Sequence, residues 1–426
     1  MNYRTLTALS ELCILITDGK HGDCQDEVDS GYFFLSAKDV RNGKLNYEDA
    51  RQITRADFLE THKRTQLEPY DILLSNSGTI GRLAIAPDDP RTYQTTFQKS
   101  VAILKVEKSI VDPRWLFYVL TSERQTLTEL AGGSVQKNLL LRDLRNFKVV
   151  VPPLEEQREI ANILGSLDDK IKANRRMNET LEATARAIFK SWFVDFDPVH
   201  VKARGETPSG MDAETAALFP DSFEDSELGP IPSGWRVGTL GEVAENPRRS
   251  INPQNISGGT PYIGLEHMPQ RSIALGEWGT GDDVESNKYS FHRGEFLFGK
   301  LRPYFHKVGI APVDGICSTD ILVTVPQSEG WAGFVLFHIS SDEFVNYTNT
   351  TSTGTKMPRT NWHDMSAYGV VLPFEALASY FSELVFPMMQ SIIENVHQSR
   401  SLAETRDTLL PKLVSGEVRV PLMESS

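Results

Sequence analysis

A long heptad seam occurs twice in this chain, and no other feature restricts its architecture as strongly. Ile160, Leu164, Leu167, Ile171, Asn174, Asn178, Leu181, Ala185, Ile188 and Trp192 follow an unbroken four-three spacing. That spacing sets them on one stripe of a long helix, the a/d seam of a coiled coil. Shifted by 221 residues, the stripe falls on Phe381, Val385, Met388, Ile392, Asn395, Ser399, Leu402, Arg406, Leu409 and Leu413. Its polar interruption recurs at the same place, Asn174 falling on Asn395. A buried asparagine costs stability but fixes register and orientation, so Asn174, Asn178 and Asn395 are the candidate register residues. Two ordinary core helices would also be apolar on one side, but seams this long seldom fit inside compact domains.

The same offset holds upstream of each helix. Gly133-Ser134 falls on Gly354-Thr355, Asp143-Leu144 on Asp364-Met365, and Val149-Val150-Val151-Pro152 on Val370-Val371-Leu372-Pro373. Each half closes a mixed domain with an apolar strand ending in proline and then enters its helix. Short apolar runs bounded by turn residues predict strands at 72–74, 83–85 and 101–104, and again at 296–298, 308–310 and 321–323. Short helices are expected at 113–122 and 330–340. The Pro-, Gly- and acid-rich stretch from Asp195 to Trp235 reads as a linker with one short helix around 213–218. Pro387 predicts a kink or broken turn near Val385–Pro387. The expected fold is α/β in the α+β sense, with two mainly β domains separated by two long antiparallel helices in a pseudo-twofold repeat. Its parts are a first domain at 1–152, a helix at 153–195, a linker at 196–230, a second domain at 231–373 and a second helix at 374–418.

Composition excludes several classes. No apolar stretch approaches the roughly 20 residues of a membrane span, and the first residues lack a signal-peptide core, so a cytoplasmic location is expected. Cys13, Cys24 and Cys317 lie far apart without a CxxC pair, which predicts reduced, structural thiols. The net charge of −13 requires that any contact with nucleic acid be confined to local basic patches, or that partners neutralise much of the phosphate charge.

Catalytic signatures are sparse. Gly294-Glu295-Phe296-Leu297-Phe298-Gly299-Lys300 has phosphate-loop spacing, but Leu301 replaces the magnesium-binding hydroxyl and Pro303 opposes a helix start, so a glycine-bounded strand is expected instead. Asn252-Pro253-Gln254-Asn255 lacks the second proline and the aromatic of an adenine methyltransferase loop. No GxGxxG follows a strand, and the nine histidines show no metal-ligand spacing. Asp168-Asp169-Lys170 resembles a nuclease cluster in composition, but is expected to be a solvated helix face.

Four segments together carry a specific resemblance. They are Val149-Val150-Val151-Pro152-Pro153-Leu154-Glu155-Glu156-Gln157-Arg158-Glu159-Ile160-Ala161, Ile188-Phe189-Lys190-Ser191-Trp192-Phe193-Val194-Asp195-Phe196, Glu227-Leu228-Gly229-Pro230-Ile231-Pro232-Ser233-Gly234-Trp235, and 406–418. They resemble the conserved regions of the specificity subunits of type I restriction-modification systems. The second helix entry, Pro373-Phe374-Glu375-Ala376-Leu377, departs from the Pro-Pro-Leu-x-x-Gln form of the first.

The resemblance implies a non-catalytic chain whose two target-recognition domains each read half of a split, asymmetric site in double-stranded DNA. The helices would set the spacer. The seam from Ile160 to Trp192 would span about 50 Å at roughly 1.5 Å per residue, against a duplex turn of about 34–36 Å. They would also dock two methyltransferase subunits and, for restriction, translocating nuclease subunits. S-adenosylmethionine, ATP and magnesium would belong to those partners, with no cofactor on this chain. The alternatives are a protein-binding coiled-coil adaptor and a degenerate DNA methyltransferase.

Base and phosphate contacts are expected from cationic and amide side chains on glycine-framed turns. In the first half these are Lys20, His21, Asn76, Ser77, Arg82, Lys99, Lys137 and Asn138. In the second they are Lys300, Arg302, Tyr304, Lys356, Arg359 and Asn361. The ordinary alternative for each is a solvated surface side chain.

Overall fold

The computed structural model describes residues 4–41, 43–48, 50–132, 137–354 and 356–420. The chain divides into two compact units, one formed by residues 1–169 with 403–426 and the other by 170–402.

The first unit is built on an antiparallel sheet of four strands, in the order Cys13–Asp18, Val101–Val106, Ile72–Ser75, Leu83–Ile85. Every residue of Ile72–Ser75 and Val101–Val106 is buried, as their largely apolar runs require, and the buried Lys105 among them pairs with Asp71 at 2.8 Å. The helix Pro113–Ser122 starts where Asp112 accepts hydrogen bonds from the Arg114 and Trp115 amides, with Pro113 in the first turn. It buries Trp115, Leu116 and Val119 in a core that also takes Ile160, Leu164, Leu410 and Leu413 from the two long helices. A separate ribbon pairs Thr5–Ala8 with Lys148–Val151, the apolar strand that precedes the first long helix.

The second unit repeats this plan. Its four-stranded sheet runs Ala244–Glu245, Ile321–Pro326, Phe296–Gly299, Val308–Ile310. Its ribbon pairs Arg236–Thr239 with Gly369–Leu372. Its core helix, Ala332–Ile339, is wholly apolar but for His338 and Gly333, and it is buried. The units differ beyond this frame. The second adds a five-stranded sheet from Ser250–Ile251 to Gly279–Thr280, whereas the first carries the helix Arg55–Thr65 and a two-stranded parallel sheet, Phe33–Leu35 with Thr95–Phe97.

The long helices are Leu154–Phe193 and Glu375–Ser415. In the first unit they run antiparallel, with Asp168 bonded to Arg406 at 2.6 Å. In the second they also run antiparallel. There the Asn174 amide donates to Gln398 at 2.8 Å and to Ser399 at 3.2 Å, and Asn395 donates to Asn178 at 2.9 Å. The repeat mates Asn174 and Asn395 therefore do not bond each other. Asn174 meets Ser399, the mate of Asn178, while Asn178 meets Asn395, the mate of Asn174. This exchange is the self-complementary pattern of a local dyad within the helix pair.

Several expectations need correction. The buried stripe of the first helix passes through Ile171, Asn174, Asn178, Glu182, Ala185, Phe189 and Trp192. It therefore leaves the strict heptad at Glu182 and Phe189, because a helix of 3.6 residues per turn drifts off a 3.5-residue repeat. Glu182 is tolerated there because its carboxylate accepts from the Ile273 amide at 3.0 Å and pairs with Arg186 at 2.8 Å. The broken turn expected at Pro387 does not occur, since Glu375–Ser415 runs through it as one helix. Pro387 is exposed, so the carbonyl it leaves without a donor can be met by water.

Asp168 is not a solvated face, since it accepts from the Tyr118 hydroxyl at 2.6 Å as well as from Arg406. Burial first, and that hydrogen bond second, push the Tyr118 phenol well above its usual range. The segment expected as a linker at 196–230 is folded. It forms the helices Asp197–Ala203 and Ala213–Ala217 and a hairpin of Phe223–Ser226 with Gly229–Pro232. Its prolines and glycines cut it into short pieces, but Val199 and Phe219 bury in the core of the second unit, Phe219 at 5.1 Å from Trp192. Among the described residues no helix is long and apolar enough to cross a membrane.

Candidate nucleic-acid interface

In each unit three loops that are distant in sequence are tied into one triangle by the same backbone hydrogen bonds. In the first unit, Asn76 follows the strand Ile72–Ser75. Its amide donates to the Ser100 carbonyl at 3.0 Å, and its carbonyl accepts from the Leu139 amide at 2.9 Å. Ser77 bridges Asn138, whose own amide donates to Gly132.

In the second unit, Lys300 follows Phe296–Gly299. Its amide donates to the Asp320 carbonyl at 2.9 Å, and its carbonyl accepts from the Thr360 amide at 3.1 Å. Leu301 bridges Arg359, which exchanges two backbone bonds with Thr353. Asn76 thus corresponds to Lys300, Ser77 to Leu301, Ser100 to Asp320, and Asn138 to Arg359. The sequence candidates 76–77 with 138, and 300–302 with 359, are brought together although 61–62 residues separate them in the first unit and 57–59 in the second. Gly133, Ser134 and Thr355, which the repeat aligns beside these turns, lie outside the described residues.

The turn in the first unit needs its glycines. Gly78 and Gly81 hold φ of 78° and 82°, a region costly for residues with a Cβ, and a Cβ on Gly81 would lie 2.9 Å from the Thr128 hydroxyl. Arg82 is half-buried, while Lys99 and Lys137 are exposed. Lys20 adjoins the triangle, accepting from the Lys99 amide at 3.0 Å. Its ammonium is held by Asp57 at 2.9 Å and Glu60 at 3.1 Å. These carboxylates, Asp57 foremost, hold it above the ordinary lysine range. His21 pairs with Asp18 at 3.1 Å, and Asp18 also binds Arg64. Both predicted contact residues therefore already have carboxylate partners within the protein.

The second triangle is more cationic. Arg302, with φ of 51°, and His306, with φ of 50°, bracket the single turn Pro303–Phe305, which leaves Tyr304 half exposed. Lys356 is exposed and forms no ion pair among the described residues. Arg359 Nε donates to Asp320 Oδ1 at 3.1 Å. Asn361 is largely committed to structure, because its side chain caps Trp362–Ser366 by accepting from the Asp364 amide and donating to the Asp364 carboxylate at 2.7 Å. Three buried polar atoms on these loops, Asn76 Oδ1, Arg302 Nε and Thr360 Oγ1, have no hydrogen-bond partner among the described residues, although such atoms are paired in most folded proteins.

Asp320 and Ser100 were absent from the sequence candidates. Lys99 pointed to the loop of the first unit, and the 221-residue offset carries it onto Asp320 itself, one position from the match of Ser100 with Asp320 that the backbone bonds give, so the repeat held a signal for Asp320. The Gly294–Lys300 run forms a turn and a central sheet strand, as its proline and leucine suggested. Among the described residues no cluster of three or more His, Cys, Asp or Glu side chains could hold a metal ion.

Residues 9–183 match the family model of the type I restriction modification DNA specificity domain. The chain is 25% identical over 405 residues to the type I restriction enzyme MjaIX specificity subunit of Methanocaldococcus jannaschii, covering 91% of this chain and 87% of that one. It is 24% identical over 440 residues to the HindI specificity subunit of Haemophilus influenzae, covering 90% and 94%. A crystal structure of a type I restriction-modification S subunit from M. genitalium shares the fold, with a TM-score of 0.56 at 14% identity and coverage of 97% and 96%. Residues 9–183 thus match the specificity-domain family, and along nearly its whole length the chain is similar to type I restriction-modification specificity subunits.

Proposed function

We propose that each unit reads one half of a split, asymmetric DNA site through its loop triangle. The chain is then the DNA-specificity component of a complex whose chemistry resides elsewhere. The observation that carries this reading is the repeated triangle. The same backbone bonds hold three loops in both units, yet the corners bear the half-buried Asn138 and Ser100 in one and the exposed Arg359 beside Asp320 in the other. A scaffold fixed by main-chain bonds can exchange side chains without losing its shape, which is what two different half-sites demand.

The long helices set the spacing between half-sites and dock two methyltransferase subunits, and restriction subunits join for cleavage. S-adenosylmethionine, ATP and magnesium act on those partners, in the cytoplasm. Partner cations supply much of the phosphate neutralisation that a chain of net charge −13 lacks.

The test is to co-express the chain with the methyltransferase encoded beside it and to map methylated adenines in the host DNA. One split, asymmetric motif that disappears when this chain is deleted is the expected result. A stable complex that adds no methylation would instead favour a protein-binding adaptor, and S-adenosylmethionine binding by the chain alone would favour a degenerate methyltransferase.

A further inference from the structure

We propose that Arg359 reads a guanine in the half-site of the second unit and that Asp320 is the residue that positions it. The proposal rests on the split-site reading above. Both ends of the pair are pinned to one backbone segment: the Asp320 carbonyl accepts from the Lys300 amide, and Thr360, next to Arg359, donates to the Lys300 carbonyl. Arg359 is tied further by two bonds to Thr353 and by its bridge to Leu301. Its Cα therefore has little freedom.

The Asp320 carboxylate takes only Nε, at 3.1 Å. It thereby orients the guanidinium plane while both terminal Nη groups hydrogen-bond to no described residue. The Arg359 side chain is 46% exposed and that of Asp320 28%. An outward fork of two parallel donors matches the O6 and N7 acceptors of guanine in the major groove, the commonest base-specific arginine contact. A phosphate can be gripped by the same fork, but a phosphate contact carries no sequence information, so the recognised motif separates the two.

The first unit supplies the contrast. On the same scaffold its corner bears Asn138 beside Ser100, a residue with neither charge nor guanidinium fork, so this guanine contact has no counterpart at that corner.

The experiment is methylome mapping in cells carrying the complete methyltransferase complex, with the wild-type chain, Arg359→Ala, Arg359→Lys and Asp320→Asn. Wild type should give a split motif with a required guanine in one half. Arg359→Ala should relax that one position by roughly tenfold or more and leave the other half-site intact. Arg359→Lys keeps the charge without the fork and should relax the same position. Asp320→Asn should relax it partially.

A uniform fall in methylation at all sites with an unchanged motif would overturn the proposal, and so would an unchanged motif in Arg359→Lys. If Arg359→Ala abolishes methylation altogether, the lysine and Asp320 variants decide between these outcomes. Failure of the wild-type chain to direct any motif would instead remove the split-site reading itself.

Discussion

Where the second unit carries Arg359 and Asp320, the first carries Asn138 and Ser100, and the main-chain bonds around them are the same. The contrast extends inward. The core of the first unit is mainly aliphatic around Trp115, with Ile160, Leu164, Leu410 and Leu413 arriving from the long helices. That of the second is aromatic, with Phe189, Trp192, Phe193, Phe334, Phe337 and Phe381 in one cluster. The plan is kept by backbone pairing and strand order, while the side chains that fill it or project from it have diverged. A duplicated fold can change what it recognises because little of its architecture depends on the corner side chains.

The largest test of this comparison lies in the cores. Phe381 is fully buried, with rings at 5.2 Å from Phe193 and 6.0 Å from Phe189. Phe381→Ala is expected to cost about 3–5 kcal/mol, and Leu164→Ala in the first unit about 2–5 kcal/mol. Urea unfolding of the full chain measures both. A loss under about 1 kcal/mol for Phe381→Ala would mean that the aromatic cluster is not what holds the helices in the second unit.

The second test is pH. His338 is buried against Phe189 and Phe334, at 4.9 and 4.4 Å, and burial lowers its pKa to about 3. The folded state keeps it neutral, whereas the unfolded chain takes up a proton below about pH 6.5. Its contribution is therefore fully present above that pH and is lost as pH falls towards 3. At pH 5 the penalty is on the order of 2 kcal/mol. His338→Leu should flatten the stability profile between pH 6.5 and 4; an unaltered slope would place the acid sensitivity elsewhere.

A smaller effect separates the cations. Lys356 is exposed and forms no ion pair among the described residues, whereas Lys20 is held by Asp57 and Glu60. Lys356→Ala should weaken DNA binding by the assembled complex and lower the slope of log affinity against log salt by about 1. Lys20→Ala should change both less, because its charge is already offset within the protein. Equal effects would mean that Lys20 leaves its carboxylates on binding. Unchanged affinity for Lys356→Ala across a salt series would remove that residue from the interface.

Much of the architecture was legible because it is written in periodicity. The strands at 72–74, 101–104 and 296–298, the helix at 113–122 and both long helices follow from apolar spacing and turn residues. Burial by long-range packing was not legible. Phe196, Phe219 and Phe223 sit among prolines and glycines that suggest a linker, and only the core of the second unit explains them. Asp168 looked solvated because its partners, Tyr118 and Arg406, lie 50 and 238 residues away. The triangles were half legible. Turn chemistry marked 76–82 and 300–304, but Ser100 and Asp320 join them only through backbone bonds that no local pattern announces.

The smallest change in stability is expected where the comparison is closest, at the dyad of the helix pair. Asn395 donates to Asn178 at 2.9 Å, and Asn178 is buried. Replacing Asn178 alone with Leu strands the Asn395 amide and should cost about 1–3 kcal/mol, whereas replacing both removes donor and acceptor together and should be nearly neutral. The double variant loses the polar pair that opposes sliding, since Leu opposite Leu tolerates more than one register. Stability and register therefore part company: urea midpoints should recover in the double variant while methylation spreads to sites whose spacer differs from the native length. A double variant that recovers stability and still demands one spacer would show that register is held by Asn174 with Gln398 and Ser399, and the Asn174→Leu variant would then be the one to relax it.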